Sequence, residues 1–201
     1  LWRTGSKKAA ATMEPKVSQM KAICELAVMD CYYHNVAKYY EKDAVKGFLG
    51  IGKKDKHFWI EYSGIVRLGV DVSLVSVAVS DTQVTITLPE AKVLSCKVDS
   101  ASLTEASFIV DKHSADIDAS DEVKAFDQAQ SQLEQTAVSD KALLSSAQQR
   151  AQTLLEEYIT NIADTTEKQY AIRWVYVDAN GSPCGEHLPD AAPADKTEAV
   201  A

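Results

Sequence analysis

The sequence predicts an α+β domain, and three observations carry that prediction. Residues 58–99 hold several runs in which apolar side chains alternate with polar ones, the period of a half-buried strand. After residue 100 the apolar spacing changes to three and four, the period of an amphipathic helix. One strand-like run, YAIRWVYV at 170–177, then returns near the end. Strands precede helices instead of alternating with them, which argues against a doubly wound parallel sheet. The expected architecture is a mostly antiparallel sheet with an N-terminal helix, two C-terminal amphipathic helices and a final C-terminal strand.

Each element has a local reason. Residues 1–13 (LWRTGSKKAAATM) are small, polar and basic without a period, and read as a tether. Pro15 suits the first turn of a helix, and Val17, Met20 and Cys24 follow at helical spacing, predicting a helix to about residue 26. VMDCYYHNVAKYY is rich in β-branched and aromatic residues and predicts a long strand up to residue 41. Residues 42–56, with Gly47, Gly50 and Gly52, read as a loop. Phe58, Ile60, Tyr62, Val66, Leu68 and Val70 occupy even positions of the next strand, and Gly64 interrupts them as a bulge would. Val75, Val77 and Val79, a turn at 80–83, and Val84, Ile86 and Leu88 make a hairpin. Pro89 has no N–H and stops that ladder, and a further strand is expected at 91–99.

In the helical part, Asp118 or Ser120 is placed to cap, with Asp121 and Glu122 at the positive end of the helix. Its expected buried stripe is Val123, Phe126, Leu133 and Ala137. A break near Ser139 and Asp140 leads to a second helix, with Leu143, Ala147, Ala151, Leu154, Tyr158 and Ile162 inward and Gln148, Gln149, Arg150 and Glu156 outward. Asn180-Gly181 ends the last strand. The organisation expected is therefore a tether at 1–13, one domain at 14–178, and a disordered tail rich in Pro, Ala and acids at 179–201.

Composition narrows the function classes. The chain has 201 residues and a formal net charge of −8, which repels phosphate and disfavours nucleic acid. Its one basic cluster, Lys53, Lys54 and Lys56, is interrupted by Asp55. Cys24, Cys31, Cys96 and Cys184 form no CxxC pair and no Cys/His ligand spacing, so zinc is not expected. Their even number permits disulfides in an oxidising compartment, but Cys31 and Cys96, in strand-like runs, are expected as free or buried thiols. No run of eighteen apolar residues occurs.

Three near-motifs fail on their chemistry. Gly47 to Lys54 approaches a phosphate-binding loop, but Lys54 stands where Ser or Thr should hold magnesium, and a strand follows instead of a helix. Asp116 to Glu122 approaches a calcium loop, but its sixth and twelfth positions are Asp121 and Asp127 instead of Gly and Glu. His34, His57, His113 and His187 are scattered, and Ser63-Gly64 lacks the first Gly of a nucleophile elbow. No catalytic, cofactor-binding or metal-ligating residue is assigned. The aromatic run Tyr32, Tyr33, Tyr39 and Tyr40 suits cross-strand packing. The apolar residues Phe48, Leu49 and Ile51 of the Gly-hinged loop are the candidate interaction loop.

Several blocks in order resemble the family called domain of unknown function 4230. They are Glu25-Leu26-Ala27, the Tyr-rich strand to Asn35-Val36, Trp59 to Gly64, Gly69 to Ser73, Val84 to Ser95 with its Leu88-Pro89 corner, Val98-Asp99, and the helical 147–159. The resemblance covers about residues 15–177 and implies a bacterial protein, commonly with an N-terminal membrane anchor and an exposed domain, with no activity attached. An apolar span preceding Leu1 is expected on that ground, the basic residues Arg3, Lys7 and Lys8 lying outside against the positive-inside tendency. A cytoplasmic location is the alternative. The function expected is a non-enzymatic, membrane-tethered, extracytoplasmic structural or interaction module whose partner is a protein or an apolar ligand. A binder of a small apolar or lipid-like ligand between sheet and helices is the alternative, and a hydrolase using distant carboxylates is a third reading. No cofactor is expected.

Overall fold

A computed structural model describes residues 13–46 and 52–184. It is an α+β protein with elements α1 (Val17–Leu26), β1 (Met29–Val45), β2 (Lys54–Gly69), β3 (Ser76–Ser80), β4 (Gln83–Pro89), β5 (Lys92–Val98), β6 (Phe108–Val110), α2 (Ala119–Ser139), α3 (Lys141–Thr166) and β7 (Ala171–Val177). The expected order of elements is observed, with the short β6 as an addition that the sequence pattern does not predict. The strands form two sheets, and the chain divides into two compact units, each assembled from separate stretches of sequence.

The first unit takes residues up to 28, 69–91 and 145 onward. Its sheet has the order β3-β4-β7. The β3–β4 hairpin turns at Asp81, whose φ is +46, and β4 pairs in parallel with β7 from Gln83↔Ala171 to Pro89↔Val177. Pro89 is the last residue of β4, and Glu90 resumes bonding by donating its N–H to Val177 O at 2.9 Å. Alternation buries Val84, Ile86 and Leu88 against Met20 and Cys24 of α1 and Ala151, Leu155 and Ile159 of α3. The face of α3 is rotated from the expectation: Leu154 and Tyr158 are half-buried, and Gln148, expected outside, is buried because its Oε1 accepts the Ala91 N–H at 2.5 Å. The same residue that reads as polar surface in the sequence satisfies a backbone donor in the core.

The second unit takes residues 29–68 and 92–144. β2 is central, with β1 on one edge and β5 and β6 sharing the other. β1 and β2 pair antiparallel from Met29↔Leu68 to Glu41↔Lys56 without interruption. Both strands run further into the expected 42–56 loop. The irregularity lies between Glu41 and Val45, where Asp43 has φ +53, and not at Gly64. Gly64 answers a different need. A Cβ there would collide with the Leu133 side chain of α2 and lie 3.1 Å from Lys97 O of β5. Close approach, not a bulge, requires glycine.

α2 begins at the expected cap. Asp118 Oδ1 accepts the N–H groups of Ser120 at 2.8 Å and Asp121 at 3.2 Å, while Asp121 Oδ2 accepts the Asp118 N–H at 2.9 Å, a reciprocal capping box. Its buried stripe is Asp121, Ala125, Ala129, Leu133 and Ala137. Val123, expected inside, is 62% exposed, and Phe126 is half-buried. The helix rests on the sheet through alanines, whose weak hydropathy does not advertise the face. Asp140 then starts α3, its Oδ1 accepting the Leu143 N–H at 3.1 Å. All four cysteines are free thiols. Cys31 and Cys96 lie half-buried in β1 and β5, and the fully buried thiol is Cys24, whose pKa burial pushes up to about 11.

Candidate functional site

In the second unit α2 covers one face of the sheet, and among the described residues the side chains of the other face are largely exposed. The even residues of β2, Phe58, Ile60, Tyr62, Val66 and Leu68, are buried as expected. The odd residues therefore face outward, level with the even residues of β1. Pairing sets them in rows: Arg67 beside Asp30, Ile65 beside Tyr32, Ser63 beside His34, Glu61 beside Val36, Trp59 beside Lys38 and Ile109 of β6, and His57 beside Tyr40. Arg67 makes a two-pronged contact with Asp30 at 2.7 and 2.8 Å, and its guanidinium holds that carboxyl below the ordinary range.

The centre of this face is apolar and exposed. Tyr32 is 79% exposed, Val36 50% and Ile109 51%. At one end the Tyr40 ring meets the His57 ring edge-on at 5.8 Å, and His57 lies 4.6 Å from Trp59. Tyr32 and Tyr40 thus stand outward. Tyr33 and Tyr39 face α2, where Tyr39 stacks on Phe58 at 4.7 Å. Packing alone does not account for the whole aromatic run.

Register also assembles three polar groups that the sequence separates. His34 Nδ1 lies 3.1 Å from Ser63 Oγ, and His34 Nε2 lies 2.7 Å from Glu61 Oε1. A hydroxyl, an imidazole and a carboxylate in that order have the connectivity of a serine-hydrolase relay. The surroundings do not complete one. The serine sits on a pleated strand with its own N–H committed to Ser102 Oγ at 3.1 Å, and the imidazole and carboxylate side chains are 65% and 46% exposed. A relay needs donors aimed at a developing oxyanion in a water-poor site. The trio is read as a hydrogen-bonded polar patch within the apolar face. The signal that could have found it is the strand register, since Glu61 and Ser63 share a face and His34 lies opposite.

The remaining candidates sit elsewhere. Phe48, Leu49 and Ile51 lie outside the described residues. Gly52, with φ +85, leads into β2, and Lys53 Nζ lies 3.2 Å from Asp43 Oδ2. Lys56, grouped with its neighbours in the sequence, is instead buried: its Nζ lies 2.5 Å from Asp121 Oδ2 and 3.2 Å from Asp118 Oδ2. These contacts raise the lysine pKa and, with the Ser120 hydrogen bonds, lower that of Asp118 to about 2. The acids of the calcium-like stretch thus cap and pin α2. In the first unit, α1 and α3 flank a largely apolar groove of about 520 Å³ whose lining includes Met13, Ala22, Ile23 and Ile162 together with Gln19 and Asn161.

No helix among the described residues is long and apolar enough to cross a membrane. No curated protein and no solved structure matches the chain. One family model does match, over residues 18–170, and on that span, well over half of the sequence, the chain belongs to the family described as protein of unknown function, DUF4230.

Proposed function

We propose that this chain is a non-enzymatic interaction module, tethered to a membrane and exposed outside the cytoplasm, which docks a partner protein on the open face of β1 and β2. The observation that carries the docking surface is the exposure of the large apolar side chains Tyr32, Val36 and Ile109 on one face of a sheet. Aromatic and aliphatic anchors ringed by satisfied polar groups are the composition of a non-obligate protein interface. Here Arg67–Asp30 lies at one end of the face and His34–Glu61 lies between the apolar anchors, its polar groups bonded to each other. The membrane location rests on what family membership implies and on the polar, patternless residues 1–13 as a spacer. A net charge of −8 supports a protein partner over nucleic acid.

The test uses the full-length gene product in its host. It is expected in the membrane fraction and to be clipped by protease added to intact cells. A photo-crosslinking residue at Tyr32 should give discrete protein adducts, while the same residue at Val123, also exposed but on α2, should not. Recovery in the cytosol overturns the location, and equal adducts at both positions overturn the docking face. A second reading, binding of a small apolar or lipid-like molecule, is supported by the α1–α3 groove, which lies between helices. Saturable uptake of a fluorescent fatty acid that Ile23→Arg abolishes would favour it.

A further inference from the structure

Beside the Tyr40 end of the open face lies a polar cavity of about 320 Å³, lined by β1, the start of β2 and the turn after β6. It holds charges of both signs in equal number, Lys53 and Lys54 against Asp55 and Asp111. A site for an anion or a cation carries an excess of the opposite charge. This one mixes the two signs, with Lys53 already paired to Asp43 beside it, and mixed fixed donors and acceptors suit a neutral ligand.

Its carboxylates are held in place before anything binds. Asp55 Oδ1 accepts the Asp43 N–H at 2.8 Å and Oδ2 accepts the Tyr40 hydroxyl at 2.8 Å. Asp111 Oδ1 accepts the His113 N–H at 2.8 Å. These donors lower both carboxyl pKa values, so both groups stay ionised as acceptors at neutral pH. Each carboxylate has more lone pairs than these bonds use. Lys54 offers a donor, and the edge-on rings of Tyr40 and His57 offer an apolar wall. The Nε2 atom of His57 is buried and has no hydrogen-bond partner among the described residues. Such an orphan is costly unless water or a ligand group satisfies it.

We propose that this cavity binds a small neutral polyhydroxylated ligand of the saccharide class, with Asp55 and Asp111 accepting from its hydroxyls, Lys54 donating, a hydroxyl reaching His57 after a small ring movement, and Tyr40 lying against its C–H face. Hydroxyls both donate and accept, so a sugar matches this alternation of fixed acceptors and donors better than an amine or a carboxylate does. The inference goes beyond the docking reading and does not depend on where the protein resides.

The test is NMR titration of the whole chain, following the His57 ring signals. The probes are glucose, galactose, mannose and N-acetylglucosamine, with inorganic phosphate and acetate as charged controls. At least one sugar should shift the His57 signals saturably, and neither anion should do so at equal concentration. Asp111→Asn, which keeps the turn-forming acceptor, should weaken that sugar at least tenfold with an unchanged melting midpoint, as should Lys54→Ala. No shift with any sugar, a shift with phosphate or acetate alone, or undiminished binding in both variants overturns the proposal.

Discussion

In the three-stranded sheet, β4 buries Val84, Ile86 and Leu88 against long side chains of α1 and α3, among them Met20, Leu155 and Ile159. In the four-stranded sheet, β2 buries Phe58, Ile60, Tyr62 and Val66, but the facing helix brings mostly alanine, with Leu133 as its one large buried side chain. The first unit closes by interdigitating large residues from both layers. The second lets the helix come close and fixes its position with Gly64 and with the Lys56–Asp121 contact. A core of the first kind tolerates small volume changes by repacking. A core of the second kind is set by a few points where nothing else fits, and it leaves its other face free for display.

The sharpest way to break this comparison is charge. Ile60→Asp places an unpaired carboxylate on the covered face and should destabilise by about 4 kcal/mol. Glu61→Ala, one residue along on the open face, should change stability by less than about 0.5 kcal/mol. Thermal melting of both reports the register directly, and equal effects would reverse the assignment of faces.

Lys56→Met comes next. It strands Asp121, which is wholly buried, and should cost about 3 kcal/mol by denaturant unfolding. Adding Asp121→Leu should recover part of that loss, and no recovery would mean that the pair is not what pins α2. The pH dependence has a definite sign. The folded pKa of Asp118, about 2, lies below the ordinary 3.8, so its stabilising effect is present above pH 3.8 and fades as pH falls toward 2. Lys56→Met removes one cause of that depression, so acid unfolding of the variant should begin at higher pH than in the parent.

Gly64→Ala should cost less than Ile60→Asp or Lys56→Met, about 2 kcal/mol, because the added methyl meets Leu133 and Lys97 O. Leu133→Ala in the same chain should give a combined loss smaller than the sum of the two separate losses. Additive losses would show that the helix is not held at the glycine.

Much of the fold was legible because the signals are local. Alternation marks the inward face of β2 and Asp118 caps α2, each within a turn or a strand of the residues that decide it, whereas Pro15 precedes the α1 cap residue Lys16 and does not sit in the first turn. The buried face of α2 was legible in part: Leu133 and Ala137 lie inside as expected, but Ala125 and Ala129 complete the stripe and Val123, the louder residue, is exposed. Gly64 and Gln148 misled for a shared reason: each serves a neighbour distant in sequence, Leu133 in one case and Ala91 in the other. The candidate face was half legible. Outward alternation of β2 follows from its sequence, but the meeting of His34 with Glu61 and Ser63 needs the pairing register, and no single stretch encodes it.

The parallel pairing of β4 with β7 sets an order of birth. Gln83 waits for Ala171, so the ribosome must make β5, β6, α2 and α3 before the three-stranded sheet receives its last strand. Every strand of the four-stranded sheet, and the helix that covers it, has been synthesised by Ser139. For the interval between, β4 carries an unpaired edge beside Val84, Ile86 and Leu88, the kind of edge that recruits foreign strands. A message truncated before β7 would therefore yield a chain with its four-stranded sheet encoded in full and an adhesive edge left open for quality control to recognise.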